Sequence, residues 1–245
     1  MTQDKEQRTR DPLRGLFFTG TDTGVGKTFV TASVARVLRQ QGRDVGVCKP
    51  IATGARWVQG RWLADDTVCL AEAAEVDGPP ERVTPWAFPE PVAPPVAARR
   101  QGVVLRLEAL AQAVRDCGRP GGVLLVEGVG GLLCPLTESD TVADLALAVG
   151  LPVVVVTRRS LGTLNHTLLT LEVARARGLP VAGVVINETQ PPGGLADETN
   201  VEELGRRIKV PLLAVVPHQA GGVAAALPCL AAVDWWRLGK PPFSI

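Results

Sequence analysis

The sequence carries almost no net charge, with 26 lysines and arginines set against 25 aspartates and glutamates. That balance excludes the broad basic field that draws a protein to nucleic acid or to an anionic membrane, so any anion site has to be local. Lysine itself is scarce. It occurs only at Lys5, Lys27, Lys49, Lys209 and Lys240, and arginine supplies the rest of the positive charge. The five cysteines, Cys48, Cys69, Cys117, Cys134 and Cys229, form no Cys-x-x-Cys pair. Scattered, odd in number and without metal-ligand spacing, they read as small buried hydrophobes in a reducing compartment. No apolar run is long enough to span a bilayer: the longest, Leu145 to Val156, is interrupted by Gly150 and Pro152. The stretch Met1 to Arg14 is polar and lacks the apolar segment of a secretory signal, and no internal repeat is present. The expectation is a cytoplasmic protein with no nucleic-acid or membrane partner, residues 1–14 forming a flexible lead-in and residues 15–245 one domain.

What is present is a regular alternation. Short β-branched runs at Leu16–Thr19, Val45–Cys48, Val123–Val126, Val153–Thr157, Val181–Ile186 and Leu212–Val216 read as strands. Helical stretches lie between them near Thr28–Gln41, Asp65–Ala74, Leu107–Cys117, Val142–Val149, Leu161–Arg177 and Thr199–Ile208. Continuous apolar strands alternating with helices predict an α/β fold with a mostly parallel central sheet and helices on both faces. Ligands of such sheets sit at the carboxyl ends of the strands. Gly20, Lys49, Glu127, Arg158 and Asn187 each follow one. The region Gly78 to Gly102, with seven prolines, reads as too broken for regular structure. Trp235 and Trp236 read as packing residues rather than ligand platforms.

Between Gly20 and Thr28 the chain reads Gly-Thr-Asp-Thr-Gly-Val-Gly-Lys-Thr, after an apolar strand and before a helix. A glycine-rich turn into a helix N-terminus aims backbone N–H groups and the positive end of the helix dipole at a polyphosphate. Lys27 adds a charge and Thr28 a hydroxyl for Mg²⁺. Five residues, one more than usual, separate Gly20 from Gly26. Glu127, followed by Gly128, Val129, Gly130 and Gly131, stands where a metal-binding carboxylate belongs. Asp65 and Asp66 open a helix, so either can cap it or bind metal. Thr28, Glu127 and one of these aspartates make a chemically sufficient Mg²⁺ site once substrate phosphates and water are added. Lys49, stopped by Pro50, faces the transferred phosphate or an anionic substrate. His166 and His218 have no triad or metal partner in sequence and read as structural. The helix start near Gly162 suits a carboxylate, and the Asn187 amide suits an adenine edge.

These segments resemble the dethiobiotin synthetase family. The resemblance rests on residues 20–28, on Cys-Lys-Pro-Ile-Ala-Thr-Gly at 48–54 and on Asp66. It continues through Val-Glu-Gly-Val-Gly-Gly at 126–131, Leu-Gly-Thr-Leu-Asn-His at 161–166 and Asn187, covering about residues 15–220 in the family's order. The Thr-Asp-Thr loop with its extra residue is specific to that group. The resemblance implies a P-loop NTPase-like enzyme that carboxylates 7,8-diaminopelargonic acid with CO₂ and closes a cyclic urea at the expense of ATP. Lys27, Lys49 and Thr23 would be catalytic, and Thr23, Thr53, Gly162, Thr163 and Asn165 would bind the diamine. ATP would lie on Gly24, Val25, Gly26, Lys27, Thr28 and Phe29, on Asp66, on Glu127, Gly128, Val129 and Gly130, and on Asn187, Glu188, Val216, Pro217 and His218. Mg²⁺ would be held by Thr28, Asp66 and Glu127. The helix start at Gly162 to Asn165 would serve a second subunit's site, so a homodimer is implied. The chain departs from the family's common residues at Gly24, Thr53 and Pro95.

Three other nucleotide-binding classes fit less well. A partitioning-type ATPase carries a lysine five residues before the motif lysine, where this chain has Asp22. A glutamine-dependent amide synthetase needs a further domain after residue 220, and a pure nucleotide-binding regulator leaves Lys49 and the hydroxyls of Thr23 and Thr53 without a role.

Overall fold

The structure, a computed structural model, describes residues 13–191, 193–218 and 223–240. All but the last two of the residues expected to form the lead-in therefore lie outside the described residues. Six parallel strands form the central sheet: β1 (Gly15–Gly20), β2 (Val45–Cys48), β7 (Val123–Gly131), β8 (Val153–Arg158), β9 (Val181–Asn187) and β10 (Leu212–Val216). Their order is β10-β9-β8-β1-β7-β2. The chain moves from β1 toward the β2 edge, then crosses to the other side of β1 for β8, β9 and β10. The turn after β1 therefore sits where the winding direction reverses, the place at which open α/β sheets bind ligands.

Successive strand residues point to opposite faces, and each face builds its own core. Leu16, Phe18, Val123, Leu125, Val154 and Val156 pack with α1 (Lys27–Gln40), α2 (Asp65–Ala74), α8 (Leu227–Ala231) and α9 (Trp235–Leu238). Phe17, Leu124, Val126, Val153 and Val155 pack on the other face with α3 (Pro94–Arg100), α4 (Leu107–Asp116), α5 (Val142–Val149), α6 (Thr163–Ala176) and α7 (Leu195–Arg207). Burial of each such side chain contributes about 1.5–3 kcal/mol. Trp235 is fully buried with its indole N–H donated to the Leu230 carbonyl at 2.8 Å. Trp236 is instead flanked by the guanidinium groups of Arg14 and Arg43, 4.1 and 4.2 Å from its ring centre.

The stretch Gly78 to Gly102 is more regular than its prolines suggest. It holds strand β6 (Trp86–Phe88), paired in parallel with β3 (Ile51–Thr53), and then α3. Pro94 and Pro95 occupy the first two positions of α3, where a missing N–H costs nothing, so they start the helix rather than break it. Between β3 and α2 the chain makes an antiparallel hairpin of β4 (Arg56–Val58) and β5 (Arg61–Leu63). The strand β7 runs on through its glycines to Gly131 because β1 pairs alongside, Gly20 opposite Gly131.

Candidate active site

The loop after β1 is held open by its glycines. Gly26 is the N-cap of α1 at φ 86°, with no side chain capping the helix, so the first N–H groups of α1 are left to a ligand. A Cβ at Gly26 would lie 2.1 Å from Asn187 Nδ2, which donates to the Val25 carbonyl at 3.1 Å. Asn187 thus braces the loop from the end of β9 and keeps its second amide hydrogen and its carbonyl oxygen for other partners. Lys27 folds back along the loop and donates to the Asp22 carbonyl at 3.0 Å. Its ammonium rests against Gly20, where a Cβ would stand 2.8 Å from Nζ. Burial pushes the Lys27 pKa below the ordinary lysine value, with Lys49 adding to the effect and the nearby Glu127 working against it.

Beside this loop the topology gathers residues that are far apart in sequence. The middle of β7 supplies Glu127, the residue after β2 is Lys49, and the first turn of α2 supplies Asp66. Lys49 Nζ donates to Glu127 Oε1 at 2.7 Å and pairs with Asp66, while Thr28 Oγ1 donates to the same Glu127 oxygen at 2.8 Å. Lys49 is 5% exposed and Glu127 1%. Burial favours the neutral amine at Lys49, but the two facing carboxylates outweigh it and raise its pKa. Burial likewise opposes ionisation of Asp66, and is outweighed by Lys49, the Thr28 hydroxyl and Lys27, so its pKa is lowered. Asp65, one residue earlier, points to solvent and pairs with Arg56. Neither aspartate caps α2, whose N-cap is Ala64.

Glu127 Oε2 is buried and has no hydrogen-bond partner among the described residues. A buried carboxylate oxygen without a donor costs several kcal/mol unless something cationic meets it. Two carboxylates and a hydroxyl converging beside a phosphate loop form the oxygen-only donor set that Mg²⁺ takes when phosphate and water complete its shell. The residues present therefore fit that ion.

The other expected site residues come from the rim of the loop, the end of β3, the start of α6 and the end of β10. Thr23 is exposed on the loop rim, its N–H donated to Asp22 Oδ1 at 2.7 Å, and Thr53 ends β3 half-buried. At the start of α6, Gly162 is the N-cap at φ 92° with no side-chain cap, and Gly162 and Asn165 are exposed. Thr163 is 2% exposed and its hydroxyl is engaged inward with Thr157 at 2.8 Å. Val216 is buried, whereas Pro217 and His218 are exposed after β10. His218 donates its backbone N–H to Glu188 Oε2 at 3.0 Å.

Two positions outside the expected set stand out. Thr157 Oγ1 contacts the hydroxyls of Thr21 at 3.2 Å and Thr167 at 2.9 Å as well as that of Thr163. Arg159 pairs with Glu188. Nothing in the sequence distinguishes Thr157 from other strand-end threonines, or says which of the adjacent Arg158 and Arg159 turns inward.

Residues 14–225 match the family model described as an AAA domain. The chain is 43% identical over 218 residues to the ATP-dependent dethiobiotin synthetase of Aromatoleum aromaticum, covering 87% of this chain and 96% of the relative. It is 44% identical over 207 residues to the enzyme of the same name from Anaeromyxobacter dehalogenans, covering 84% and 91%. The corresponding figures for Bacillus licheniformis are 41% over 205 residues, covering 84% and 86%. Among solved structures, the ParA family ATPase of Chlorobium tepidum superposes with a TM-score of 0.56 at 13% identity, covering 93% of this chain and 99% of that one. The septum site-determining protein MinD of Pyrococcus horikoshii gives 0.53 at 18% identity, covering 88% and 86%. These two likenesses show the P-loop fold alone. Over nearly the whole length of its relatives, with the phosphate loop and the buried Lys49 cluster in place, this chain belongs to the dethiobiotin synthetase family.

Proposed function

We propose that the chain converts 7,8-diaminopelargonic acid, CO₂ and ATP to dethiobiotin, ADP and phosphate in biotin biosynthesis, through a carbamate and a carbamic-phosphoric anhydride. The observation that carries this reading is the cluster in which Lys49, buried between Asp66 and Glu127, stands beside the phosphate loop. An amine of the diamine adds to CO₂ to give a carbamate and releases a proton. A carbamate oxygen attacks the γ-phosphorus of ATP, and the bond to the β–γ bridging oxygen breaks, leaving ADP. The second amine then attacks the carbonyl carbon, expels phosphate and closes the ring.

In this scheme the N–H groups of the loop from Gly24 to Phe29 hold the phosphates. Lys27 leaves the Asp22 carbonyl to neutralise charge on the bridging and γ oxygens. Lys49, kept cationic by its two carboxylates, faces the carbamate and the phosphoryl group in transfer. Thr28, Asp66 and Glu127 would hold Mg²⁺, which supplies charge neutralisation on the β- and γ-phosphates. Thr23 and Thr53 hydrogen-bond the carbamate end of the substrate. Asn187 and Glu188 with Val216, Pro217 and His218 line the nucleobase subsite, and Gly128, Val129 and Gly130 allow close approach along the phosphates.

The substrate carboxylate is received by the uncapped start of α6 at Gly162 to Asn165, supplied by a second copy of the chain. Leu161, 86% exposed beside that start, and Leu169, 56% exposed further along α6, support a face that another copy covers. Among the described residues no helix is long and apolar enough to cross a membrane; the reading is of a cytoplasmic homodimer.

The test is mass spectrometry of a reaction containing the purified protein, MgATP, ¹³C-bicarbonate and the diamine, with the diamine omitted as control. A ¹³C-labelled cyclic urea formed together with ADP is the expected result. Diamine-independent ADP release without labelled product would overturn the reading.

A further inference from the structure

On the side of the sheet away from Lys49 lies a second poorly exposed ion pair that the phosphate chemistry does not use. Arg159 follows β8, and its side chain is 20% exposed against 7% for Glu188. Its Nη1 donates to Glu188 Oε1, its Nε to the Asp197 carbonyl in the first turn of α7, and its backbone N–H to the Asn187 carbonyl at 3.2 Å. Glu188 in turn accepts the His218 N–H at 3.0 Å through Oε2 and donates its own N–H to the Val216 carbonyl at 2.9 Å. One guanidinium therefore joins both ends of the connection from β9 to α7. Through Glu188 it also fixes the segment that follows β10.

The chemistry of arginine suits this task. Its planar fork presents donors on separate nitrogens in fixed directions, so one side chain meets a carboxylate and a carbonyl on different elements in a geometry that the point charge of a lysine does not impose. A desolvated pair of this kind is tolerated only when its remaining hydrogen-bonding capacity is used. Here both carboxylate oxygens and two guanidinium nitrogens are engaged.

We propose that Arg159 is a positioning residue of the nucleobase subsite, touching no ligand but setting the separation of the Asn187–Glu188 and Val216–His218 segments between which the base of ATP is held. This rests on the reading of those segments given under the proposed function. The test compares Arg159→Met, which keeps the stem and removes the fork, with Arg159→Lys. It measures KM for ATP and for the diamine separately, MgATP binding by calorimetry, the ATP-over-GTP ratio of kcat/KM, and Tm.

For Arg159→Met the KM and Kd for ATP are expected to rise about tenfold, the loss of one charge-assisted contact set. The ATP-over-GTP ratio should narrow, with kcat at saturating ATP falling by less than about twofold and the diamine KM unmoved. Arg159→Lys should lie between this variant and the parent. An unchanged ATP KM, or a proportionate loss of kcat and both KM values that tracks a lower Tm, would reduce Arg159 to a structural residue. Asn187→Ala separates the two layers of the argument. Weaker ATP binding with a narrowed ATP-over-GTP ratio in Asn187→Ala alone overturns the Arg159 assignment and leaves the subsite standing, whereas an unchanged ATP-over-GTP ratio in both variants removes the subsite and the proposal with it.

Discussion

The carboxyl ends of β1, β2 and β7 and those of β8, β9 and β10 are two halves of one sheet edge, and they treat buried polar groups in opposite ways. In the first half Lys27, Lys49, Asp66 and Glu127 crowd together, and Glu127 Oε2 has no donor among the described residues. In the second half the polar groups satisfy one another, apart from the Asn187 amide, which makes one bond to the Val25 carbonyl. A hydroxyl has one proton and two acceptor positions, and Thr157 uses all three on Thr21, Thr167 and Thr163. Glu188 spends one oxygen on Arg159 and the other on the His218 N–H. The unsatisfied half is built to be completed by a charged ligand, and the satisfied half is built to hold its shape. The two lysines and two carboxylates of the first half cancel in formal charge. A triphosphate entering it would bring an excess of negative charge, which the Mg²⁺ proposed above would balance.

The sharpest way to break this contrast is to remove a cation from the unsatisfied half. Lys27→Ala is expected to cost about 3 kcal/mol or more in kcat/KM, the scale of a charge clamp on developing negative charge. Near-normal turnover in steady-state assays would take Lys27 out of the mechanism. Next in size is Glu127→Gln, which keeps the shape of the side chain and removes the charge of the orphaned oxygen. Half-maximal turnover should then require about tenfold more Mg²⁺ or higher. A superimposable metal titration would mean that Oε2 is not waiting for a metal.

In the satisfied half the same kind of change should appear in stability instead. Thr157→Val is nearly isosteric and deprives three hydroxyls of their common partner, so unfolding free energy should drop by about 1–2 kcal/mol. Saturating kcat should stay within about twofold of the parent, because no atom of Thr157 is required by the chemistry. Denaturant titration and turnover measured on the same preparation decide the matter. A large loss of kcat with unchanged stability would reverse the roles assigned to the two halves.

The unsatisfied half was the more legible one in the sequence. Gly20 to Thr28, Lys49, Asp66 and Glu127 are chemically conspicuous at strand and helix ends, and the strands that bring them together are continuous apolar runs. The structure places Val45–Cys48 and Leu212–Val216 within the bounds the pattern predicts, and α2 and α5 likewise. The satisfied half was opaque, since its devices depend on which way a side chain turns. Arg158 and Arg159 are equivalent in sequence, and Thr157 closes a network whose members come from three separate elements. The stretch from Gly78 to Gly102 failed for another reason: proline density was weighed without position. Pro94 and Pro95 sit where a helix accepts proline, and β6 is stabilised by its pairing with β3, a tertiary contact no local pattern reports. The start of α7 at Leu195 was missed similarly, because Gly193 and Gly194 mark the entry to the helix while Asp197 and Glu198 already lie in its first turn, suited to the dipole.

The smallest expected effect lies outside both halves and shows what a charge does when it only supports the fold. At the start of α5, Asp144 closes a capping box, accepting the Thr141 N–H at 2.8 Å and the Thr141 hydroxyl at 2.6 Å through Oδ2, while Arg177 pairs with Oδ1 at 2.9 Å. The hydroxyl bond is the main cause of a pKa below the ordinary 3.8, helped by the N–H and by Arg177 against the opposing effect of burial. A carboxyl whose pKa is depressed by folding stabilises the native state above its unfolded pKa and loses that contribution as pH falls through the folded value. Asp144→Asn should therefore cost about 1 kcal/mol near neutral pH, the scale of a lost cap. The gap between the parent and the variant should close as the pH is taken below 3.8. Urea titrations across that range provide the check, and a gap that stays constant with pH would show that the carboxylate's charge contributes nothing to this cap.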